Sequence, residues 1–174
     1  MPATPTPTPT AIATFATATP ATASPTSRTT AAAPDVDAFT RPYWEAAARG
    51  SLLLRRCLAC AKAHHYPREF CPYCWSEDVG WEPASGRATL YTWSVVHRND
   101  LPPFGERVPY VAAVVDLAEG PRMMTEVVDC EEAELRIGMA LEVTFRDGEA
   151  EGYAVPVFRE AQEARASWGA RVGG

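Results

Sequence analysis

Apolar and polar residues alternate strictly in the second half of the chain, over residues 141–146. Successive side chains of a β-strand point to opposite faces, so this pattern predicts a strand with one face in a core and the other in water. The apolar face would hold Leu141, Val143 and Phe145, and the polar face Glu142, Thr144 and Arg146.

Four other segments are rich in β-branched and aromatic residues and are bounded by turn-forming residues. They are residues 88–97, 111–117, 122–128 and 153–158. A connecting segment, Cys130–Met139, separates the third strand from the fourth. Five strands in this arrangement favour a small antiparallel barrel, and we predict a five-stranded OB-fold over residues 85–158. We expect the aromatic side chains of Tyr91, Trp93 and Tyr110 to lie in the barrel core.

A short helix is predicted before the strands, within residues 35–50. Thr40 is a candidate N-cap, Pro42 lies in the first turn, an alanine run follows, and Gly50 is a stop signal. Residues 51–56 then resemble a short strand that leads directly into a pair of cysteines.

Four cysteines form two C-x-x-C pairs, Cys57 with Cys60 and Cys71 with Cys74. Two such turns can direct four thiolates at one point, which is the donor set of a closed, structural zinc site. Two disulfides or a redox dithiol are alternatives, and iron also accepts four thiolates. We predict a zinc ribbon over residues 51–84. The fifth cysteine, Cys130, is interpreted as a lone buried or half-buried thiol.

The first 34 residues differ in composition from the rest, because all but Met1, Ile12, Phe15 and Arg28 are Ala, Thr, Pro or Ser. We predict a disordered tail over residues 1–34 and a second tail over residues 159–174 that extends as a helix before fraying. Residues 35–174 hold 15 basic and 22 acidic residues, a net charge of −7. No run of eighteen apolar residues occurs, so we expect a cytoplasmic protein that does not span a membrane.

The chain resembles a specific family, the zinc-ribbon plus OB-fold proteins associated with acyl-CoA enzymes, long labelled a domain of unknown function. The resemblance runs from about Phe39 to Phe158. Its fragments are Tyr43-Trp44-Glu45-Ala46, Gly50, Leu54-Arg55-Arg56-Cys57, the four cysteines, Tyr66-Pro67-Arg68, Trp81–Arg87, Pro109-Tyr110, Gly120, Ile137-Gly138-Met139 and Pro156-Val157-Phe158.

This resemblance implies a mainly β fold with a rubredoxin-like four-cysteine ribbon before the barrel. It also implies a non-catalytic subunit that binds a thiolase, a lipid-transfer-type aldolase or a ketosynthase-like acyltransferase in a hetero-oligomer and helps to bind or channel acyl-CoA. Ala61 departs from the family pattern, where a glycine commonly follows the first C-x-x-C. We therefore expect a positive φ at this position, which costs alanine about 1 kcal/mol.

Several residues are candidates for contact with acyl-CoA or with a partner protein. Arginines around the ribbon form a local positive group in an acidic domain, and a strand end and the following loop carry a cation and an exposed aromatic residue. The candidates are Arg55, Arg56, Arg68, His97, Arg98, Phe104 and Tyr110. We expect His64 and His65 to serve surface or packing roles.

Two other functions compete with this prediction. An OB-fold can bind single-stranded nucleic acid, but a net charge of −7 with the single lysine Lys62 disfavours that function. A stand-alone acyl-CoA hydrolase or transferase is the other alternative. It lacks support because no serine or free cysteine lies in a recognisable nucleophile motif near a histidine.

Overall fold

The computed structural model describes residue 34 and residues 36–102, 104–148 and 152–162 of the chain. Most of the two predicted tails, residues 1–33 and 163–174, therefore lies outside the described residues.

One helix, α1, spans Arg41–Ala48 and buries Tyr43, Ala46 and Ala47. Thr40 is the N-cap residue, as predicted, but its side chain makes no capping hydrogen bond to the helix. The Asp37 carboxylate instead accepts hydrogen bonds from the Thr40 backbone N–H at 2.6 Å and the Thr40 hydroxyl at 2.9 Å. An aspartate three residues upstream fixes the entry to the helix, and Gly50, at a φ of 75°, ends it as predicted.

A three-stranded antiparallel sheet follows the helix, formed by β1 (Leu53–Cys57), β2 (Ala63–His64) and β3 (Val79–Pro83) in the order β2-β1-β3. The first strand was predicted, two residues earlier at its start and one at its end. The other two were not predicted. Strand β3 contains glycine and proline and lacks alternation, so its extended form depends on pairing with β1, where Arg55 lies opposite Trp81.

Five strands then close into the predicted barrel. They are β4 (Arg87–Val96), β5 (Tyr110–Leu117), β6 (Arg122–Val127), β7 (Ala140–Asp147) and β8 (Ala154–Glu160), in the closed order β4-β5-β6-β8-β7. The pairing of β6 with β8 is parallel, at Val127 and Phe158, so the prediction of a purely antiparallel barrel is wrong at this seam. Five strands in this order are consistent with an OB-fold, which confirms the predicted fold class.

The end of the barrel lies beyond the predicted position. Arg159 and Glu160 belong to β8, which corrects the predicted start of a helical tail at residue 159. The ribbon sheet ends at Pro83 and the barrel begins at Arg87, while the predicted boundary between residues 84 and 85 stays a prediction.

The core is continuous between ribbon and barrel. Phe158, Leu90, Leu141 and Val115 are almost completely buried in the barrel, and Leu54 of β1 belongs to the same cluster. Of the apolar face predicted in β7, Leu141 is buried, whereas Val143 and Phe145 are half-buried against the core. Within the described ranges, no helix combines the length and the apolar character needed to cross a membrane.

Candidate metal centre and its surroundings

The four cysteines of the two C-x-x-C turns meet at one point. Their Sγ atoms all lie within 4.8 Å of one another. The Sγ atoms of Cys57 and Cys74 are 3.6 Å apart, as are those of Cys60 and Cys71. A tetrahedral metal with metal–sulfur bonds of about 2.3 Å requires sulfur–sulfur distances of about 3.8 Å. The four thiols therefore fit a tetrahedral metal ion, and they would fill all of its coordination positions.

Each metal-binding turn directs a backbone N–H at a sulfur. The N–H of Cys60 donates to Cys57 Sγ at 3.4 Å, and the N–H of Tyr73 donates to Cys71 Sγ at 3.4 Å. The hydrogen bond from Cys60 is the main reason that the pKa of the Cys57 thiol falls to about 7. A thiol that ionises near neutral pH is a good metal ligand.

The residue after each turn adopts a left-handed backbone conformation. The φ angles are 59° at Ala61 and 63° at Trp75. The positive φ expected at Ala61 is thus confirmed. Trp75 occupies the equivalent position after the second pair, which the sequence analysis did not anticipate. The shared conformation indicates that the two turns are similar halves of one site.

Two of the arginines predicted to contact a ligand are engaged within the ribbon. Arg55 is 8% exposed, with its guanidinium 5.2 Å from the ring centroid of Phe39 and 4.7 Å from that of Trp81. Its Nη2 also donates to the Val79 carbonyl oxygen at 2.8 Å. This burial contradicts the prediction that Arg55 contacts a ligand. The side chain instead joins Phe39, just before α1, to Val79 and Trp81 of β3.

Arg56 pairs with Glu82 across the sheet and donates from Nη1 to the Ala61 carbonyl oxygen at 2.6 Å. It therefore braces the first metal-binding turn. Arg68, the third member of the predicted group, is exposed. The structure thus does not bring the three arginines together on one free surface, since two of them are structural.

The remaining candidates gather around the loop between β4 and β5. Arg98 and His97 are exposed, and Arg98 pairs with Asp100 at 3.1 Å. Phe104 was expected to be exposed but is half-buried in a 3₁₀ turn, Phe104–Arg107. Its ring is therefore not the exposed aromatic side chain that was predicted at the tip of this loop.

Arg107 is the residue that sequence reasoning missed in this loop. Its guanidinium lies 5.9 Å from the ring centroid of Phe104 and 5.7 Å from that of Tyr110. It also pairs with Glu126, whose carboxylate lies 3.7 Å from Arg146. The signal in the sequence was its spacing, since Arg107 lies three residues after Phe104 and three before Tyr110. Its pair with Glu126 of β6 links the loop to the barrel.

The aromatic residues expected in the barrel core occupy different positions. Trp93 packs against the core and Tyr110 is half-buried, with its hydroxyl accepting a hydrogen bond from Asn99 Nδ2 at 3.0 Å. Tyr91 is 44% exposed, which contradicts the expectation, and the Arg122 guanidinium covers its ring at 3.4 Å. Tyr91 points outward because it follows the inward-facing Leu90, and the bulge between Leu90 and Thr92 returns Trp93 to the inner face, opposite Ala113.

Of the two histidines of the ribbon, His64 is buried and His65 is half-buried, and both pack against other side chains. His64 is 3% exposed, and His65 Nε2 lies 3.2 Å from the hydroxyl of Tyr43. Burial lowers the pKa of His65 to about 4, with a smaller contribution from His64. The packing role predicted for both residues is confirmed.

An open groove of about 500 Å³ lies beside α1 and was not predicted. Its floor includes Trp44 and Tyr153, whose rings meet edge to face at 6.4 Å. Arg41 and Arg49 stand two turns apart on the helix along its side. Arginines at this spacing follow the period of the helix, but the sequence offered no signal that Gly152 and Tyr153, just before β8, would complete the groove.

Comparison with known proteins identifies the family. Residues 44–80 match a family model described as ChsH2, rubredoxin-like zinc ribbon domain, and residues 81–146 match one described as ChsH2, C-terminal OB-fold domain. A DUF35 domain-containing scaffold protein of Methanothermobacter thermautotrophicus is 32% identical over 105 residues, which cover 60% of this chain and 78% of that protein. The chain belongs to the DUF35 family. The resemblance stated from the sequence is thereby confirmed.

Two other similar proteins extend the comparison. A probable enoyl-CoA hydratase alpha subunit of Thermomonospora curvata is 35% identical over 119 residues, or 68% of this chain. The chain spans only 36% of the length of that relative. A chain of the solved Ltp2-ChsH2(DUF35) aldolase superposes with a TM-score of 0.65 at 32% identity, covering 74% of this chain and 98% of that one.

Proposed function

We propose that this DUF35 chain is a non-catalytic accessory subunit that binds a thiolase-like enzyme and helps to bind or channel its acyl-CoA substrate. The observation that carries the proposal is the likeness to a chain of the Ltp2-ChsH2(DUF35) aldolase, which covers 98% of that chain at 32% identity. A chain that matches such a component over its whole length is suited to the same kind of assembly. The predicted cytoplasmic location belongs to this proposal.

The metal in this proposal is zinc, and its role is structural. Four thiolates complete a tetrahedral ion and leave no position for water or substrate, which suits a metal that holds the ribbon together. Elemental analysis of the purified protein should give one zinc per chain. Iron in its place would appear as strong thiolate-to-metal absorption in the visible range and would overturn the choice of metal.

The loop between β4 and β5 supports the proposed acyl-CoA contact better than the ribbon does. Arg98 and His97 remain exposed there, next to Tyr110, and the pair that Arg98 forms with Asp100 is open to water, whereas Arg55 and Arg56 are engaged inside the ribbon. Guanidinium groups bind phosphate oxygens well, so the loop offers a cation for the phosphates of CoA. Arg68 stays a candidate on the ribbon surface.

Nothing in the side-chain arrangement favours the two alternatives. Most arginines of the barrel pair with carboxylates, including Arg107, Arg122 and Arg159, which leaves little positive charge for a nucleic-acid backbone. In the described part of the chain, none of the three histidines hydrogen-bonds to a serine, threonine or cysteine. This arrangement offers no activated nucleophile for a stand-alone acyl-CoA hydrolase or transferase.

Co-expression with the thiolase-like protein encoded by a neighbouring gene tests the proposal. We expect the two chains to co-purify as a hetero-oligomer, and we expect the DUF35 chain to change the partner's acyl-CoA turnover while showing none alone. The Arg98→Glu variant should weaken acyl-CoA binding by the complex but not its assembly. Arg87→Glu, an exposed arginine at the other end of β4 from Arg98, is the matched control. A chain that stays monomeric and leaves the partner's activity unchanged would overturn the proposal.

A further inference from the structure

The second half of β4 has a neighbouring strand on one side only. Pairing with β5 continues to Val96, whereas pairing with β7 covers only Arg87–Thr89. Two more backbone hydrogen bonds join Leu90 to Gly138 at 2.8 Å and to Met139 at 2.9 Å. Beyond Leu90, the described part of the chain supplies no strand on that side. We call residues 91–96 the β4 overhang.

The β4 overhang presents unpaired backbone groups. In an antiparallel pair, alternate residues turn their N–H and C=O groups away from the neighbouring strand, so the overhang offers a row of donors and acceptors on its open side. Proteins usually protect such edges with lysine, proline or other charges. The sequence Tyr-Thr-Trp-Ser-Val-Val contains none of these and is rich in strand-forming residues.

The burial of inward-facing side chains shows that cover is missing here. In the first half of β4, Ala88 and Leu90 are 6% and 1% exposed. In the overhang, Trp93 faces the same side, opposite buried Ala113, yet Trp93 and Val95 are only half-buried. Among the residues that the structure describes, β5 and β7 flank the first half, and β5 alone flanks the second half. A further strand on the open side would cover these two side chains.

We propose that the β4 overhang binds an extended segment of the partner protein, which adds a strand to the barrel sheet. This inference rests on the proposed function. A row of alternating backbone donors and acceptors is complementary to another extended peptide backbone. On the inner face of the sheet, apolar side chains of the bound segment lie beside Trp93 and Val95. On the outer face, its polar side chains lie beside Thr92 and Ser94, which are exposed.

Hydrogen exchange of the full chain, alone and in complex with the thiolase-like protein, tests the proposal. We expect alternate amides within residues 92–96 to exchange at least about tenfold more slowly in the complex. Amides of β5, which are paired in both states, should change little. This measurement uses the unaltered protein, so it does not depend on the folding of a variant.

A matched pair of variants separates edge binding from other contacts. Val95→Lys places an inward-facing lysine that can extend to water in the free chain but is buried by an added strand. It should weaken the complex by about tenfold or more, since burying an unpaired charge costs well over the 1.4 kcal/mol that a tenfold change represents. Thr89→Lys is the control, because Thr89 is exposed in the same strand but pairs with both β5 and β7. Its affinity should stay within about twofold.

Three outcomes overturn the inference. A complex that forms without slower exchange at residues 92–96 contradicts it while leaving the proposed function intact. Exchange at residues 92–96 that is already slow in the free chain would also contradict it. If removal of residues 1–33 restores fast exchange, the edge is occupied by the chain's own N-terminal segment. If dilution restores fast exchange, the edge is occupied by a second copy of the chain. The absence of any complex would overturn both proposals.

Discussion

Ala61 occupies a backbone conformation that alanine tolerates poorly. Its φ of 59° lies in the left-handed region, where a Cβ atom approaches the following carbonyl oxygen and costs about 1–2 kcal/mol. The Ala61 carbonyl oxygen also accepts a hydrogen bond from Arg56. The backbone of Ala61 therefore cannot change its conformation without weakening this hydrogen bond to the metal-binding turn. The strain is held in place by its surroundings.

Ala61→Gly should therefore stabilise the protein by about 1 kcal/mol, because glycine reaches positive φ without steric cost. Chemical denaturation of the metal-bound protein measures this change. The control is Ala59→Gly, in the same turn but without a positive φ, which should be neutral or destabilising by up to about 1 kcal/mol. Equal effects of the two substitutions would show that the strain at Ala61 is negligible.

His65 makes stability depend on pH. Burial lowers its pKa in the folded protein to about 4, whereas in the unfolded chain it is about 6.5. Between these values the unfolded state binds the proton and the folded state does not, so stability falls as the pH drops from 6.5 towards 4. The loss at pH 5 should be about 2 kcal/mol.

Denaturant titrations between pH 7 and pH 5, with metal content checked at each pH, measure the contribution of His65. His65→Asn cannot titrate and should reduce the slope, while the neighbouring His64, whose pKa burial also lowers, supplies the rest. His97→Asn, which changes an exposed histidine outside the ribbon, is the control variant. An unchanged slope in the His65 variant would contradict the assignment.

At the scale of elements, the metal-binding turns determine whether the ribbon exists. Strand β2 has only two residues and β3 contains glycine and proline, so neither has a strong strand preference of its own. Both are held against β1 by the metal centre at one end and by the Arg56–Glu82 pair within the sheet.

Cys57→Ser should abolish metal binding and unfold the ribbon, since structural zinc contributes on the order of 10 kcal/mol to folding in small ribbons. The measurements are metal content and thermal melting, with a chelator expected to have the same effect on the unaltered protein. Cys130→Ser is the control, because this half-buried thiol lies away from the metal ligands and should keep full metal content. Full metal content in the Cys57 variant would show that the site is wrongly assigned.

The predictability of each element follows the source of its stability. The five barrel strands were predicted to within about two residues because their preference lies in their own composition and alternation. The metal site was predicted because the spacing of its ligands is local. Arg55 was misplaced because its aromatic partners, Phe39 and Trp81, come from other segments of the chain. Strand β3 was missed for the same reason, since only pairing with β1 makes it a strand.

At the scale of the whole molecule, the ribbon and the barrel meet at Gly86. This residue is buried at a φ of 78°, and its carbonyl oxygen accepts a hydrogen bond from the Val143 N–H at 2.8 Å. The preceding Ser85 N–H donates to Glu119 Oε1 at 2.6 Å. Two barrel segments therefore hold the short connection that leaves the ribbon.

Gly86→Ala should destabilise the protein by about 3 kcal/mol, because a Cβ at this position would lie 2.7 Å from Val143 Cγ1 in addition to the cost of the positive φ. Gly138→Ala isolates the backbone contribution, since Gly138 has the same φ of 78° and no atom within 4 Å of an added Cβ. It should cost about 1 kcal/mol. Denaturation midpoints of the two variants measure the difference, and equal midpoints would show that Val143 gives way freely.

The parallel contact of β6 with β8 has a consequence for synthesis on the ribosome. The ribbon pairs strands that are close in sequence, so it is complete once Pro83 has left the exit tunnel and a metal ion has bound. The barrel waits for its last strand, because Phe158, which is fully buried, joins β6 and β7. A nascent chain therefore carries a finished ribbon beside an unclosed sheet while residues 84–158 are being made. Ribosomes stalled before residue 158 should display that sheet to chaperones and proteases.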